Sequence, residues 1–277
     1  MSDFTGFRLM LRKLALLFER DFTVARSYRA ALLVQALESL FAVAGFYFLS
    51  RFIDSPQLEQ SLPQSTGYFA FALVGLAFFD YLSVALHTFD ESLREARQNG
   101  TLENLLVTQT SLPVILLGSS LYPFVLLSLR TTIYIGWGAA LFGFPLRGAN
   151  WPGAALILAA SVLTFSGLGI LSASYLLVFK RGNPVNWAVV GLSSVVGGMM
   201  YPVSVLPKWL QVVARLIPVT YSLEGMRAAI LGHASMRELW PSLAGLLAFA
   251  AVVLPVSLLV FSWALRRTKV TGTLTHF

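Results

Sequence analysis

Three ionisable side chains, Glu38, Asp80 and Arg130, lie inside otherwise apolar stretches of the chain. Five more, Asp90, Glu91, Arg94, Glu95 and Arg97, crowd the segment HTFDESLREARQNGTLENLL at 87–106, with Glu103 further along it. A charge within an apolar run is costly unless it is paired or reaches water. It therefore marks a proton or cation relay, or an ion pair that holds helices together. Crowded charges on a short amphipathic stretch suit contact with another protein, or an ordinary solvated loop. Other chemistry is thin. His87, His233 and His276 are isolated from one another, with no metal-ligand spacing. No Ser-His-acid or paired-carboxylate arrangement shares a common depth, and the absence of cysteine removes thiolate chemistry. The expectation is a chain that is not an enzyme.

Composition decides what carries these residues. Of 277 residues 56% are hydrophobic and only 12% charged, with a mean hydropathy of +0.72. That is about half the charge of a soluble domain. The runs 60–79, 104–129, 148–179, 182–207 and 239–265 contain no Asp, Glu, Lys or Arg. Each reaches the roughly 20 residues that a helix needs to cross the hydrocarbon core. The fold class expected is an all-α polytopic membrane protein forming one domain over 1–277. Six transmembrane helices are placed near 31–52, 67–87, 113–143, 151–179, 184–202 and 240–265. The ~10-residue alternation of a membrane barrel is absent.

The net charge of +7 is distributed in a way that points to a membrane rather than to nucleic acid. One set of connections holds Arg8, Arg12, Lys13, Arg20, Arg26, Arg29, Arg94, Arg97, Lys180, Arg181, Arg266, Arg267 and Lys269. The other holds Arg51, Arg147, Lys208, Arg215, Arg227 and Arg237. The richer side is the cytoplasmic one, so both termini and the 87–106 segment are expected there. Glu38 and Asp80 then lie about 10 Å into their spans from that side, at 1.5 Å per residue.

Three further segments stand out. In 1–30, Phe4, Phe7, Leu11, Leu14, Phe18 and Phe22 recur at helical spacing between basic residues. That pattern predicts an amphipathic helix lying in the interface against membrane lipid, or packed on a partner. Within 88–111, Phe89, Leu93 and Ala96 share a helical face, and Asn99-Gly100 is a strong helix stop. Thr101 then caps a new helix with Glu103 in its first turn, so a short cytoplasmic helix followed by a break is predicted. Over 203–239, apolar residues at helical spacing are cut by Pro207 and Pro218, just after Pro202, into pieces too short to span. These read as re-entrant or interfacial helices.

With these segments in view the chain resembles the ABC-2 type transporter permeases. The resemblance rests on GTLENLL at 100–106 after the charged helix, FKRGNPVNW at 179–187, and MMYPVSVLPKWLQVVARLIPVTYSLEGMRAAILG at 199–232. It implies a half-transporter in the plasma (inner) membrane of a bacterium, paired with a second copy or a homologous permease. Two cytoplasmic ATPase subunits would bind ATP and Mg and receive the coupling helix. Glu91, Arg94, Glu95, Arg97, Gly100, Thr101 and Glu103 would form the ATPase-coupling region. The cargo implied is lipid-like, amphipathic or a glycan, moved by export or flipping. The chain carries no GxxxxGK[ST] phosphate loop, so no nucleotide cofactor is expected on it. Phe71, Phe78, Tyr81, Met199, Met200 and Tyr201 are candidates to line the cargo path, against the plainer reading that they pack or face lipid. A competing reading is an ion-coupled secondary carrier working through Glu38, Asp80 and Arg130.

Overall fold

The computed structural model describes residues 29–53, 62, 67–98, 112–179 and 183–270. The predicted interfacial helix over 1–30 and the joint formed by Gly100, Thr101 and Glu103 lie outside the described residues, as do the side chains of Glu95 and Arg97. All regular structure among the described residues is helical: α1 (Arg29–Phe52), α2 (Tyr68–Gln98), α3 (Leu112–Phe142), α4 (Trp151–Phe179), α5 (Pro184–Val196), α6 (Lys208–Arg215), α7 (Pro218–Ile230) and α8 (Met236–Val270), with a single 3-10 turn at Val203–Val205.

Local signals account for several of the helix ends. Asn183 caps α5 by accepting from the Asn186 N–H at 3.0 Å, and Pro184 follows where a missing N–H costs nothing. Asn150 accepts from the Gly153 N–H at 2.9 Å and donates to Ala234 O at 2.8 Å, tying the start of α4 to the α7–α8 connection. At the head of α8, Glu238 reaches back to the Ser235 N–H at 2.7 Å, one half of a capping box. Beyond α5 the chain turns at Gly197 and Gly198, the latter at φ +82°, where a side chain would be strained.

Among the described residues four segments are long and apolar enough to cross a membrane: Tyr68–Glu91, Tyr122–Phe142, Trp151–Phe179 and Met236–Thr268. Helix α1 has 24 residues, but Gln35, Glu38 and Arg51 dilute it. Two expectations differ from the outcome. The helix expected over 184–202 stops at Val196 after 13 residues, roughly 20 Å at 1.5 Å per residue against a ~30 Å hydrocarbon core. Gly197 and Gly198 end it early. The short charged helix predicted after 87 is no separate element either. It continues α2 without a break, because nothing between Tyr68 and Gln98 interrupts the helical pattern, and α2 runs 31 residues.

Helix α2 is the centre of the bundle, packed by α1, α3, α4 and α7. Its apolar run surrounds the helix on all sides, as a fully enclosed helix requires. Without a hydrophobic drive between helices in lipid, close contact depends on small residues. On α4, Gly169 faces α2 and Gly167 faces α8; two residues apart, they point roughly 200° apart around the axis. A Cβ on Gly169 would lie 2.4 Å from Ala85 O and 2.3 Å from Phe89 Cδ2, and one on Gly167 2.9 Å from Val253 Cγ1. Helix α4 thus holds two neighbours at backbone range. Outside, α1, α5 and α8 present large apolar side chains, among them Phe41, Phe48, Trp187, Val252, Leu259 and Trp263.

Gly169→Ala is expected to lower the thermal unfolding temperature of the detergent-solubilised protein, at a cost of about 1–3 kcal/mol for an overpacked contact. Gly136→Ala on α3, where nothing lies within 4 Å of the added Cβ, is expected to be neutral or slightly stabilising.

Candidate functional site

The charged end of α2 divides into an inner and an outer half. Phe89 is fully buried and Asp90 is 6% exposed, while Glu91 and Arg94 face outwards. One turn beyond the Gly169 contact, the helices are close enough for Asp90 to meet α4. The Ser172 hydroxyl donates to Asp90 Oδ1 at 3.2 Å. The Asn183 amide donates to Asp90 Oδ2 at 2.5 Å and to Ser172 Oγ at 2.5 Å. Since Asn183 is also the cap of α5, three helices are tied at one knot: α2 by Asp90, α4 by Ser172 and α5 by Asn183. A cleft of about 570 Å³ opens beside it between α2 and α5, lined by residues including Asp90, Glu91, Arg94 and Trp187.

Sequence reasoning counted Asp90 among the surface charges and did not see Ser172 or Asn183. The signal available was Asn183 ahead of Pro184 at the start of an apolar run, a strong helix-start pattern. Nothing local to Asp90 tells it apart from Glu91.

The three charges expected within the apolar runs, Glu38, Asp80 and Arg130, share one neighbourhood on α1, α2 and α3. Arg130 donates to Tyr134 Oη from Nε at 2.9 Å and from Nη2 at 2.6 Å, with its guanidinium 5.2 Å from that ring centroid. The charge of Arg130 acts on Asp80, and the charges of Asp80 and Glu38 act on Tyr134. No ion pair closes between them among the described residues. Asp80 is half-buried and Glu38 is on the exposed face of α1.

The aromatic candidates of α2 are enclosed within the chain. Phe78 stacks on Tyr81 at 5.7 Å and Tyr81 on Phe124 at 6.4 Å. The Tyr81 hydroxyl donates to Ser128 Oγ at 3.0 Å. Met200 is exposed, Met199 is half-buried, and the half-buried Tyr201 donates its hydroxyl to Val195 O.

Phe71 lies under Arg227, a residue that sequence reasoning assigned only to the outer charge count. Arg227, on α7, is 3% exposed. It donates to Phe71 O at 3.2 Å, Gly198 O at 2.7 Å and Met199 O at 2.7 Å, and its guanidinium carbon is 3.5 Å from the Phe71 ring centroid. Glu224, three residues earlier on α7, favours its charge, and a guanidinium stays a cation at neutral pH. The site exists because Gly75 lacks a Cβ. One added there would lie 2.1 Å from Met199 O and 2.5 Å from Arg227 Nη2.

Arg227→Met is expected to destabilise the protein by about 3 kcal/mol or more, because three carbonyls lose a charged donor and two of them belong to an irregular bend. Arg227→Lys restores part of this, since an ammonium lacks the fork that reaches three acceptors at once. Chemical unfolding in detergent measures both.

Comparison with known proteins places this geometry in a wider context. Residues 12–231 match the ABC-2 type transporter family. Over 174 residues the chain is 29% identical to the linearmycin resistance permease protein LnrN of Bacillus subtilis, covering 60% of this chain and 43% of that protein. Over 168 residues it is 26% identical to the inner membrane transport permease YadH of Escherichia coli K12, covering 60% of this chain and 64% of that protein. The chain therefore spans less than two thirds of the length of either relative. The family match runs from ahead of α1 through the end of α7, taking in both the Asp90 knot and the Arg227 clamp, and on that extent the chain belongs to the ABC-2 type transporter family.

Proposed function

We propose that this chain is the membrane subunit of an ATP-driven exporter or flippase that moves a lipid-like, amphipathic or glycan cargo. Its ATP and Mg would be held by two separate cytoplasmic ATPase subunits, and its partner in the membrane would be a second copy or a related permease. Family membership supports the permease role, and the absence of a phosphate loop fits an engine on another chain. The word permease in the names of LnrN and YadH agrees with this, and the inner membrane of the second suggests the location. Both termini and the Glu91–Arg94 end of α2 would lie in the cytoplasm by the distribution of Lys and Arg.

The observation that carries the reading is the single 31-residue span of α2. At 1.5 Å per residue that is about 46 Å, longer than a bilayer core, so a push at its charged end needs no joint to reach the interior. Closure of the ATPase pair would act on Glu91, Arg94, Glu95 and Arg97, with Gly100, Thr101 and Glu103 shaping the return into α3. Movement of α2 would carry α4 and α5 with it through Asp90, Ser172 and Asn183. A cavity between two copies would then change from inner-leaflet to outer access, with α6 and α7 re-entering the membrane from the far side.

A second reading is favoured by the shared electrostatic neighbourhood of Glu38, Asp80 and Arg130: an ion-coupled carrier using these groups. Two measurements separate them. The chain should copurify with its ATPase, and the double charge reversal Glu91→Lys with Arg94→Glu should lose that contact by at least about tenfold while leaving expression unchanged. Transport in vesicles driven by a proton gradient alone, sensitive to Asp80→Asn, would favour the carrier and defeat the permease reading.

A further inference from the structure

At the other end of the bundle, the 3-10 turn, α6 and α7 enclose a pocket of about 390 Å³. That volume lies within the roughly 300–1,000 Å³ of small-ligand sites. Most polar groups on its wall are already engaged within the chain. Gln211 donates to Leu206 O at 2.8 Å and to Ser204 O at 3.2 Å, Thr220 to Ala214 O at 2.8 Å, and the Tyr221 hydroxyl to Arg215 O at 3.0 Å. Two charged side chains are not so engaged. Arg215 and Glu224 both line the pocket and both are exposed. Among the described residues neither side chain makes a hydrogen bond or closes an ion pair. Arg227, one turn on from Glu224, is committed to main-chain carbonyls. The charges of Arg215 and Arg227 act on Glu224 from beyond bonding distance and favour its carboxylate form.

The pocket thus presents one cation and one anion, held apart and both open to an occupant. A simple anion that meets Arg215 also meets Glu224, and a simple cation that meets Glu224 also meets Arg215. An uncharged ligand gives neither a partner of opposite sign. One molecule with a charge of each sign satisfies both: the guanidinium fork suits phosphate oxygens, and the carboxylate accepts from an ammonium. The outside of α6 says where such a molecule comes from. Trp209, Val212 and Leu216 recur at helical spacing and are 62–70% exposed, with Val205 ahead of them, while Lys208 and Arg215 stand at the two ends of the helix. A short helix with an apolar stripe, an exposed Trp and flanking basic residues lies at headgroup level, its stripe against acyl chains.

We infer that the pocket between α6 and α7 binds the phosphate–ammonium headgroup of a phospholipid, its phosphate at Arg215 and its ammonium at Glu224. The acyl chains leave past Trp209 and Val212. Whether the bound lipid is cargo rests on the permease reading; the binding itself does not. Because Arg227 and Glu224 share one turn of α7, an occupied headgroup sits one turn from the clamp on α2.

Native mass spectrometry of the purified chain in detergent tests this with three lipids of equal acyl chains: phosphatidylethanolamine, anionic phosphatidylglycerol and a cationic trimethylammonium-propane diester. Phosphatidylethanolamine is expected to bind saturably, at least about tenfold tighter than either of the others. Glu224→Gln should remove its advantage over phosphatidylglycerol, and Arg215→Gln its advantage over the cationic lipid. In each variant the singly charged lipid binds as well as before or better, which reports an intact pocket. The Tyr221 hydroxyl bonds the main chain of Arg215, so that contact survives the replacement. Equal affinity for the three lipids would overturn the assignment, as would a loss of all three alike in either variant. Soluble glycerophosphoethanolamine binding as tightly as the lipid would overturn the lipid source in favour of a free zwitterion. The assay contains neither ATPase nor transport, so its failure and loss of ATPase copurification are separate results.

Discussion

The contact of Gly169 with Ala85 and Phe89 sets the spacing on which the rest of the bundle depends. At that point the α4 backbone lies against the Ala85 carbonyl and the Phe89 ring of α2, with no α4 side chain between them. One turn along, the same closeness lets a short Ser172 hydroxyl reach the Asp90 carboxylate, and lets Asn183 bridge both. Had the helices been held a methyl group further apart, Asp90 would lose the Ser172 hydroxyl that ties it to α4. The packing of small residues and the satisfaction of a polar group are one solution here. In a medium without water to make up the difference, neither is available alone.

The far end of α2 repeats the logic with different chemistry. Gly75 clears space for Arg227, which binds main-chain carbonyls of α2 and of the Gly198–Met199 bend. So α2 is tied near one end through Asp90 to the start of α5, and near the other through Phe71 and Arg227 to the stretch just after α5. The 13-residue α5 is thereby held at both ends against a helix more than twice as long. Motion of α2 along its axis cannot leave α5 behind unless one tie breaks.

Much of this was legible in the residues. The greasy runs gave the all-helical class, the Pro-cut pieces after 202 appear as α6 and α7, and Pro184 and Pro218 stand in the first turns of their helices. What was not legible follows from the same physics. A charged, amphipathic segment after an apolar one looks like a new surface helix, yet Phe89 and Asp90 turn inward because Gly169, far away in sequence, makes room for them. The early end of α5 lies in Gly197 and Gly198, whose apolar neighbours hide them in any average over a window. Arg227 was counted by sign and side alone, because the groups that hold it are main-chain carbonyls, which no residue type in the sequence marks.

Carbonyl oxygens do not titrate, and a guanidinium keeps its proton in any acidic or neutral compartment. The Arg227 tie is therefore deaf to acidification. It answers only to mechanical displacement of its acceptors or to their replacement, whereas the tie at the other end of α2 is closed by a carboxyl group, the one kind of fastening in the pair that a proton can reach.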